Sequence, residues 1–133
     1  MADFTLPDEQ MTGLGITTVG FTDHEAPAPA AVEAEMEEDT TRFSGTIDAA
    51  AHRAATEAGL RVRSWATRER LSAVTINFLD AGSSSGLPAM PFVEAGKLRA
   101  TGVGYAGEGD GLTAAIIGAL LAAGFTASFA QMF

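Results

Sequence analysis

Hydrophobic residues follow two kinds of spacing along this chain. Three short segments are rich in β-branched and apolar residues and lie beside glycines or loops, a pattern typical of buried strands. They are residues 16–21, 73–78 and roughly 101–106. Apolar positions also recur every three or four residues, most clearly at residues 48–71, and this spacing predicts helices. The pattern therefore predicts strands that alternate with helices.

Helices are predicted before, between and after these strands. The predicted ranges are residues 5–13, 32–43, 48–71, about 87–98 and 111–123. Alternating strands and helices favour a parallel sheet with helices packed against it. We therefore predict an α/β fold, a Rossmann-like three-layer domain with a mostly parallel sheet, and we expect the three predicted strands to share that sheet.

Charge is distributed unevenly between two of the predicted helices. The helix at 32–43 carries five acids, which we interpret as a solvated face, while the helix at 48–71 holds five of the eight bases, all arginines. A basic helix can bind phosphate, but a net charge of −9 opposes binding to nucleic acid or to an anionic membrane surface. We expect the arginines to pair with the acidic helix or with another subunit.

The composition also bears on the cellular compartment. The 133 residues suit one modest domain and include no cysteine, which excludes disulfides and thiolate metal sites. This fits a reducing, cytoplasmic location. The first ten residues contain acids and no basic region, so they do not form a secretory signal.

A glycine-rich loop follows the third predicted strand. Gly102, Gly104 and Gly107 match the dinucleotide-binding pattern G-x-G-x-x-G. However, Glu108 and Asp110 lie where a pyrophosphate would approach, and like charges repel. No acid follows about 20 residues later to bind a ribose. We therefore reject a nucleotide site here.

The last 23 residues, 111–133, carry no charge. This length could span a bilayer. Alanine, glycine, threonine and serine dominate the segment, and no basic residues flank it, so a packed helix at 111–123 is the better interpretation. We predict no membrane span.

Three stretches, taken in order and spacing, resemble the L-fucose/L-arabinose isomerase family. They are A-V-T-I-N-F at 73–78, L-P-A-M-P at 87–91 and G-Y-A-G-E-G-D at 104–110. The similarity covers nearly the whole chain but only the central part of a family member. It implies that residues 1–110 are a central α/β domain, and that residues 111–133 are a helix and the start of a missing C-terminal domain.

The resemblance also implies a chemistry. Family members interconvert aldose and ketose sugars with a divalent metal, usually Mn²⁺. Such a metal polarises the sugar oxygens, and carboxylates beside it move a proton between two carbons. By resemblance, Glu108 is a metal ligand and catalytic carboxylate. Asp110 is expected to cap the following helix.

The chain departs from the family pattern at the metal site. Gln131 occupies the position of a second metal-binding carboxylate, and the resemblance makes it a weak metal ligand through its amide oxygen, which cannot shuttle a proton. The family's histidine ligands would lie beyond residue 133, and His24 and His52 match no ligand position. The resemblance therefore implies a fragment that is inactive alone. The alternative is a non-catalytic α/β scaffold or oligomerisation module, with a homo-oligomer as a possible assembly.

Overall fold

The computed structural model describes residues 5–22, 25–78 and 86–130 and mixes helices with strands. The elements in chain order are α1 (Asp8–Gly13), α2 (Pro29–Arg42), α3 (Ala49–Arg68), β1 (Ala73–Ile76), α4 (Phe92–Ala100), β2 (Gly104–Gly107) and α5 (Gly111–Ala122). The α/β class is thus confirmed. No helix within these ranges is long and apolar enough to cross a membrane.

Strands β1 and β2 form a parallel pair, with α4 as the crossover between them. Ala73 lies opposite Gly104 and Ile76 lies opposite Gly107. Both strands were predicted from their apolar runs, and so was their place in one sheet. In the described residues the sheet contains these two strands.

The prediction of a strand at residues 16–21 was wrong. Within this segment Ile16 donates its backbone N–H to Met11 O at 3.0 Å, and the Phe21 ring packs edge-on against Trp65 with centroids 5.3 Å apart. The segment is therefore held by α1 at one end and by α3 at the other, and it does not enter the sheet ladder. Its β-branched composition favoured a strand, but strand formation depends on tertiary context more than on composition.

All the predicted helices are present, but their first and last residues differ from the predicted ones. The Asp48 carboxylate accepts the Ala51 N–H at 2.8 Å and caps α3, as its position before the alanine run indicates. Helix α2 begins earlier than predicted, because Pro29 suits a first helical turn. Helix α4 begins later, at Phe92.

The main core lies between α3, β1 and α4. It joins apolar residues that the structure buries almost completely, namely Ala58, Val62, Trp65, Ala66, Val74, Leu87 and Leu98. Helix α5 packs on the strands differently, through glycine. A Cβ on Gly104 would lie 2.8 Å from Gly118 Cα, and a Cβ on Gly118 would collide with Ser72 O. The helix and the strands therefore touch backbone to backbone.

The acids of α2 do not all face solvent, which corrects the solvated-face interpretation. Glu33, Glu37 and Glu38 are exposed, but Asp39 is 5% exposed and Glu35 is half-buried. These two lie toward α3 and α4, where basic side chains meet them. The prediction that the arginines of α3 pair with the acidic helix is confirmed by this contact.

Candidate functional site

Glu108 lies where the sequence predicts it, at the carboxyl end of a strand. It directly follows Gly107, which pairs with Ile76, the last residue of β1. Asn77 holds the equivalent position after β1, so the two residues share one edge of the sheet. In α/β proteins, ligands bind outside the carboxyl ends of parallel strands. Residues 79–85, which supply most of the loop expected beside this site, lie outside the described residues.

The backbone around Glu108 adopts an uncommon conformation. Glu108 has φ = +57° and is 3% exposed, and Gly109 next to it has φ = +75°. Residues other than glycine rarely adopt the left-handed region, and they persist there when neighbouring structure fixes them, often at functional sites. The Gly109 N–H donates to Ile76 O at 3.3 Å and ties the turn to β1. The carboxylate is thus fixed in a buried turn.

Aromatic rings cover the end of β2 next to Glu108. A Cβ on Gly107 would lie 2.6 Å from Phe78 Cζ and 3.6 Å from Phe129 Cε1, so glycine is required for these rings to approach. Phe78 also packs edge-on against Phe92, with centroids 5.6 Å apart. Glu108 therefore lies beside an apolar wall.

Asp110 acts as a helix cap, as predicted. Its Oδ1 accepts the Thr113 N–H at 2.9 Å, and its Oδ2 accepts the Thr113 hydroxyl at 2.6 Å. Both carboxylate oxygens are used to begin α5. Asp110 is therefore assigned a structural role, and Glu108 is the carboxylate of this loop that remains a candidate for chemistry.

A second group of charged side chains joins α2, α3 and α4; the sequence predicts its α2–α3 pairing but not the part that α4 plays. Arg63 binds Glu94 through two hydrogen bonds of 2.8 and 2.6 Å, and it binds Glu35 through two more of 2.9 and 2.6 Å. Lys97 donates to Glu35 at 2.6 Å and pairs with Asp39. We call Glu35, Asp39, Arg63, Glu94 and Lys97 the charge cluster. The i,i+4 spacing of its α2 acids was the available signal.

Electrostatic effects within the charge cluster are strong. The hydrogen bond from Arg63 lowers the pKa of Glu35 to about 2. Burial raises the pKa of Glu94, although Arg63 acts in the opposite direction. Burial lowers the pKa of Lys97, but its hydrogen bonds to Asp39 and Glu35 outweigh this and raise it overall. Because each charge has a partner, the cluster is best explained as a structural link between helices.

His52 belongs next to this cluster and not to the Glu108 site. Its Nε2 lies 3.5 Å from Asp39 Oδ2, and the residue is 8% exposed. This buried position beside Asp39 fits a structural role for His52. His24 and Gln131, the other residues weighed as metal ligands, lie outside the described residues.

The described residues do not by themselves form a manganese site. No group of three or more histidine, aspartate or glutamate side chains within these ranges could hold a metal ion. Mn²⁺ prefers several oxygen ligands, often with imidazole. Glu108 supplies one carboxylate, so the remaining ligands would have to come from elsewhere.

No protein-family model, no curated protein and no solved structure matches this chain. The resemblance to sugar isomerases therefore rests on the three sequence stretches, and the geometry around Glu108 is the structural feature that bears on it.

Proposed function

We propose that this chain is a fragment of a metal-dependent aldose–ketose isomerase of the L-fucose/L-arabinose isomerase type, inactive alone. The observation that carries the proposal is Glu108, a buried carboxylate in a fixed left-handed turn at the carboxyl end of β2. The parallel β1–α4–β2 unit, followed by α5, supports the proposal, because units of this kind would build a Rossmann-like three-layer domain. Residues 1–110 would form the central domain, and residues 111–133 the helix α5 and the start of the next domain.

The chemistry assigns a limited role to this chain. Isomerisation moves a proton between adjacent carbons of a small sugar, and a positioned carboxylate can accept and return that proton. A bound metal would supply polarisation of the sugar oxygens. Glu108 meets the first requirement through its fixed position. Its single carboxylate does not meet the ligand count of Mn²⁺, so no metal-dependent step can be assigned to these residues alone.

Manganese binding by Glu108 tests this proposal. With one carboxylate and water as ligands, we expect wild-type chain to bind Mn²⁺ with a Kd on the order of millimolar. Glu108→Asn should abolish the binding heat in titration calorimetry. Asparagine is suitable because it tolerates a positive φ and removes the charge. A ketose assay with arabinose or fucose should show no turnover.

A matched control is Glu9→Gln, which removes an exposed acid from α1 and should leave Mn²⁺ binding unchanged. Micromolar binding that survives Glu108→Asn would place the metal site elsewhere. Turnover by the isolated chain would contradict the fragment interpretation.

A second candidate function, a non-catalytic oligomerisation module, is favoured by the outer face of α5. Leu112, Ile116 and Leu120 recur at i,i+4,i+8 and are 36%, 51% and 40% exposed. The segment from Gly111 to Ala130 carries no charge in a chain of net charge −9. Two copies can therefore meet at this face without bringing acids together, and we assign the face to a second copy of the chain.

Sedimentation equilibrium tests this assignment. Wild type should show dimers at tens of micromolar, whereas Ile116→Lys should remain monomeric, because a charge at the centre of an apolar interface is costly. Ile47→Lys is the matched control, since Ile47 is equally exposed at 54% but lies outside α5. A monomeric wild type across the concentration range, or dimers that persist in Ile116→Lys, would exclude α5 as the interface.

A further inference from the structure

A groove separates β1 from the extended segment at residues 16–19. Its cavity measures about 230 Å³. Trp65 of α3 and Ala114 of α5 also line it. All of the residues that line it are uncharged. In a chain of net charge −9, this groove suits a neutral ligand.

One wall of the groove is an unpaired strand edge. The carbonyls of Ser72 and Ile76 accept hydrogen bonds from the β2 side, from Gly104 and Gly109. Because backbone direction alternates along a strand, Ala73 and Thr75 direct their N–H and C=O groups away from β2. Both residues line the groove, and in the described part of the chain β1 has no second strand partner. The edge therefore offers backbone donors and acceptors to whatever enters.

Two side chains lining the groove carry buried polar atoms without hydrogen-bond partners. They are Trp65 Nε1 and Thr75 Oγ1, and neither finds a partner among the described residues. Trp65 is 6% exposed. Buried polar groups in native proteins are normally paired, so an unpaired group calls for an explanation such as an absent ligand. The two unpaired side-chain atoms are a separate observation from the open backbone edge of β1, and both observations indicate a binding site in this groove.

We propose that this groove binds an extended, uncharged segment of another polypeptide, which adds to the sheet beside β1. A peptide backbone supplies the alternating N–H and C=O groups that Ala73 and Thr75 require. It also supplies a carbonyl that can accept the Trp65 Nε1–H. For the Thr75 hydroxyl it supplies either an N–H donor or a carbonyl acceptor.

The proposal differs from the candidate functions above in location and chemistry. Ala73 and Thr75 lie on the edge of β1 away from β2, whereas Glu108 follows β2. The outer α5 residues Leu112, Ile116 and Leu120 do not line the groove. Peptide binding can therefore be tested without reference to sugar isomerisation or to dimerisation.

The test uses a five-residue peptide of alternating valine and threonine with blocked termini. We expect its addition to slow amide hydrogen exchange at Ala73 and Thr75 by about tenfold or more, because each N–H gains a backbone acceptor. Val74 and Ile76, which face β2, should change little. The matched probe is the same peptide with N-methyl groups at alternate residues along one edge, which removes its donors. It should bind about tenfold more weakly.

A variant of the chain completes the design. Thr75→Val keeps the β-branched shape and removes the orphan hydroxyl, so the free protein should be as stable as wild type or more stable, while peptide binding weakens severalfold. Thr126→Val, at an exposed position outside the groove, is the matched control. Equal binding of the methylated and unmethylated peptides would overturn the proposal. So would the absence of exchange protection at Ala73 and Thr75 at millimolar peptide.

Discussion

Gly118→Ala is expected to destabilise the fold by about 2–3 kcal/mol, although alanine favours helices over glycine. The added Cβ would collide with Ser72 O, a backbone atom that cannot rotate away as a flexible side chain could. Helix α5 would have to move off the strands, which would also loosen Gly104, since its own Cβ position lies 2.8 Å from Gly118 Cα. Urea denaturation followed by circular dichroism measures the effect.

The control is Gly96→Ala in α4, where a Cβ would meet nothing within 4 Å. This substitution should stabilise the chain by about 0.5–1 kcal/mol through helix propensity alone. The two glycine-to-alanine changes are thus expected to have opposite signs. A stabilised Gly118→Ala variant would mean that α5 does not lie this close to β1 and β2.

Arg63→Met should destabilise the fold by about 2–3 kcal/mol. The substitution keeps an apolar stem and leaves Glu94, 5% exposed, without its partner. We place the effect below the upper range for buried pairs because the Arg63 side chain is 36% exposed, so water can partly replace the lost contact. Thermal and urea denaturation at neutral pH would measure it.

Two comparisons separate charge from packing at Arg63. Arg53→Met breaks an exposed pair with Glu33 and should leave the stability almost unchanged. Adding Glu94→Leu to Arg63→Met should recover much of the lost stability, because it removes the unpaired buried charge. Equal losses in the Arg53 and Arg63 variants would show that the charge cluster contributes no more than a surface pair.

Acid should reduce the difference between wild type and Arg63→Met. In the wild type, the pKa of Glu35 is lowered from 4.5 to about 2, so its contribution to stability is present above pH 4.5 and is lost as the pH falls toward 2. Burial raises the pKa of Glu94, so without Arg63 its buried charge is most costly near neutral pH. A difference that stays constant from pH 7 to pH 2 would contradict this assignment.

Local sequence signals predicted β1, β2 and most helices well. The cap at Asp110 was predicted, and Asp48 caps α3 in the same way, because capping depends on residues within one turn. The position of Glu108 after β2 was also predicted, because the apolar run of the strand stands directly before it in the sequence. The left-handed conformation of Glu108 did not, since nothing in a single sequence distinguishes it from an ordinary turn residue.

Features that depend on distant residues were missed. Residues 16–21 have the composition of a strand, yet Met11 and Trp65 hold their ends away from the ladder. The sequence predicts pairing between the α3 arginines and the acidic helix but not which acids turn inward, because Arg63 and Lys97 are 28 and 62 residues away from Glu35 in the chain. Pairing at that separation is decided by how helices pack, which residue spacing within one helix does not specify.

The attachment of α2 has a consequence for how the protein responds to temperature. Val32 is the apolar residue that α2 buries fully, while Glu35 and Asp39 supply its buried ionic contacts and Glu33 an exposed one. Apolar burial produces a large heat-capacity change and weakens on cooling, whereas the desolvation penalty of ion pairs falls on heating. The docking of α2 on α3 and α4 should therefore have a small heat-capacity change, and its free energy should vary little with temperature. Added salt should weaken this docking only slightly, because the Glu35, Asp39 and Lys97 side chains are largely buried and buried pairs are screened much less than exposed ones.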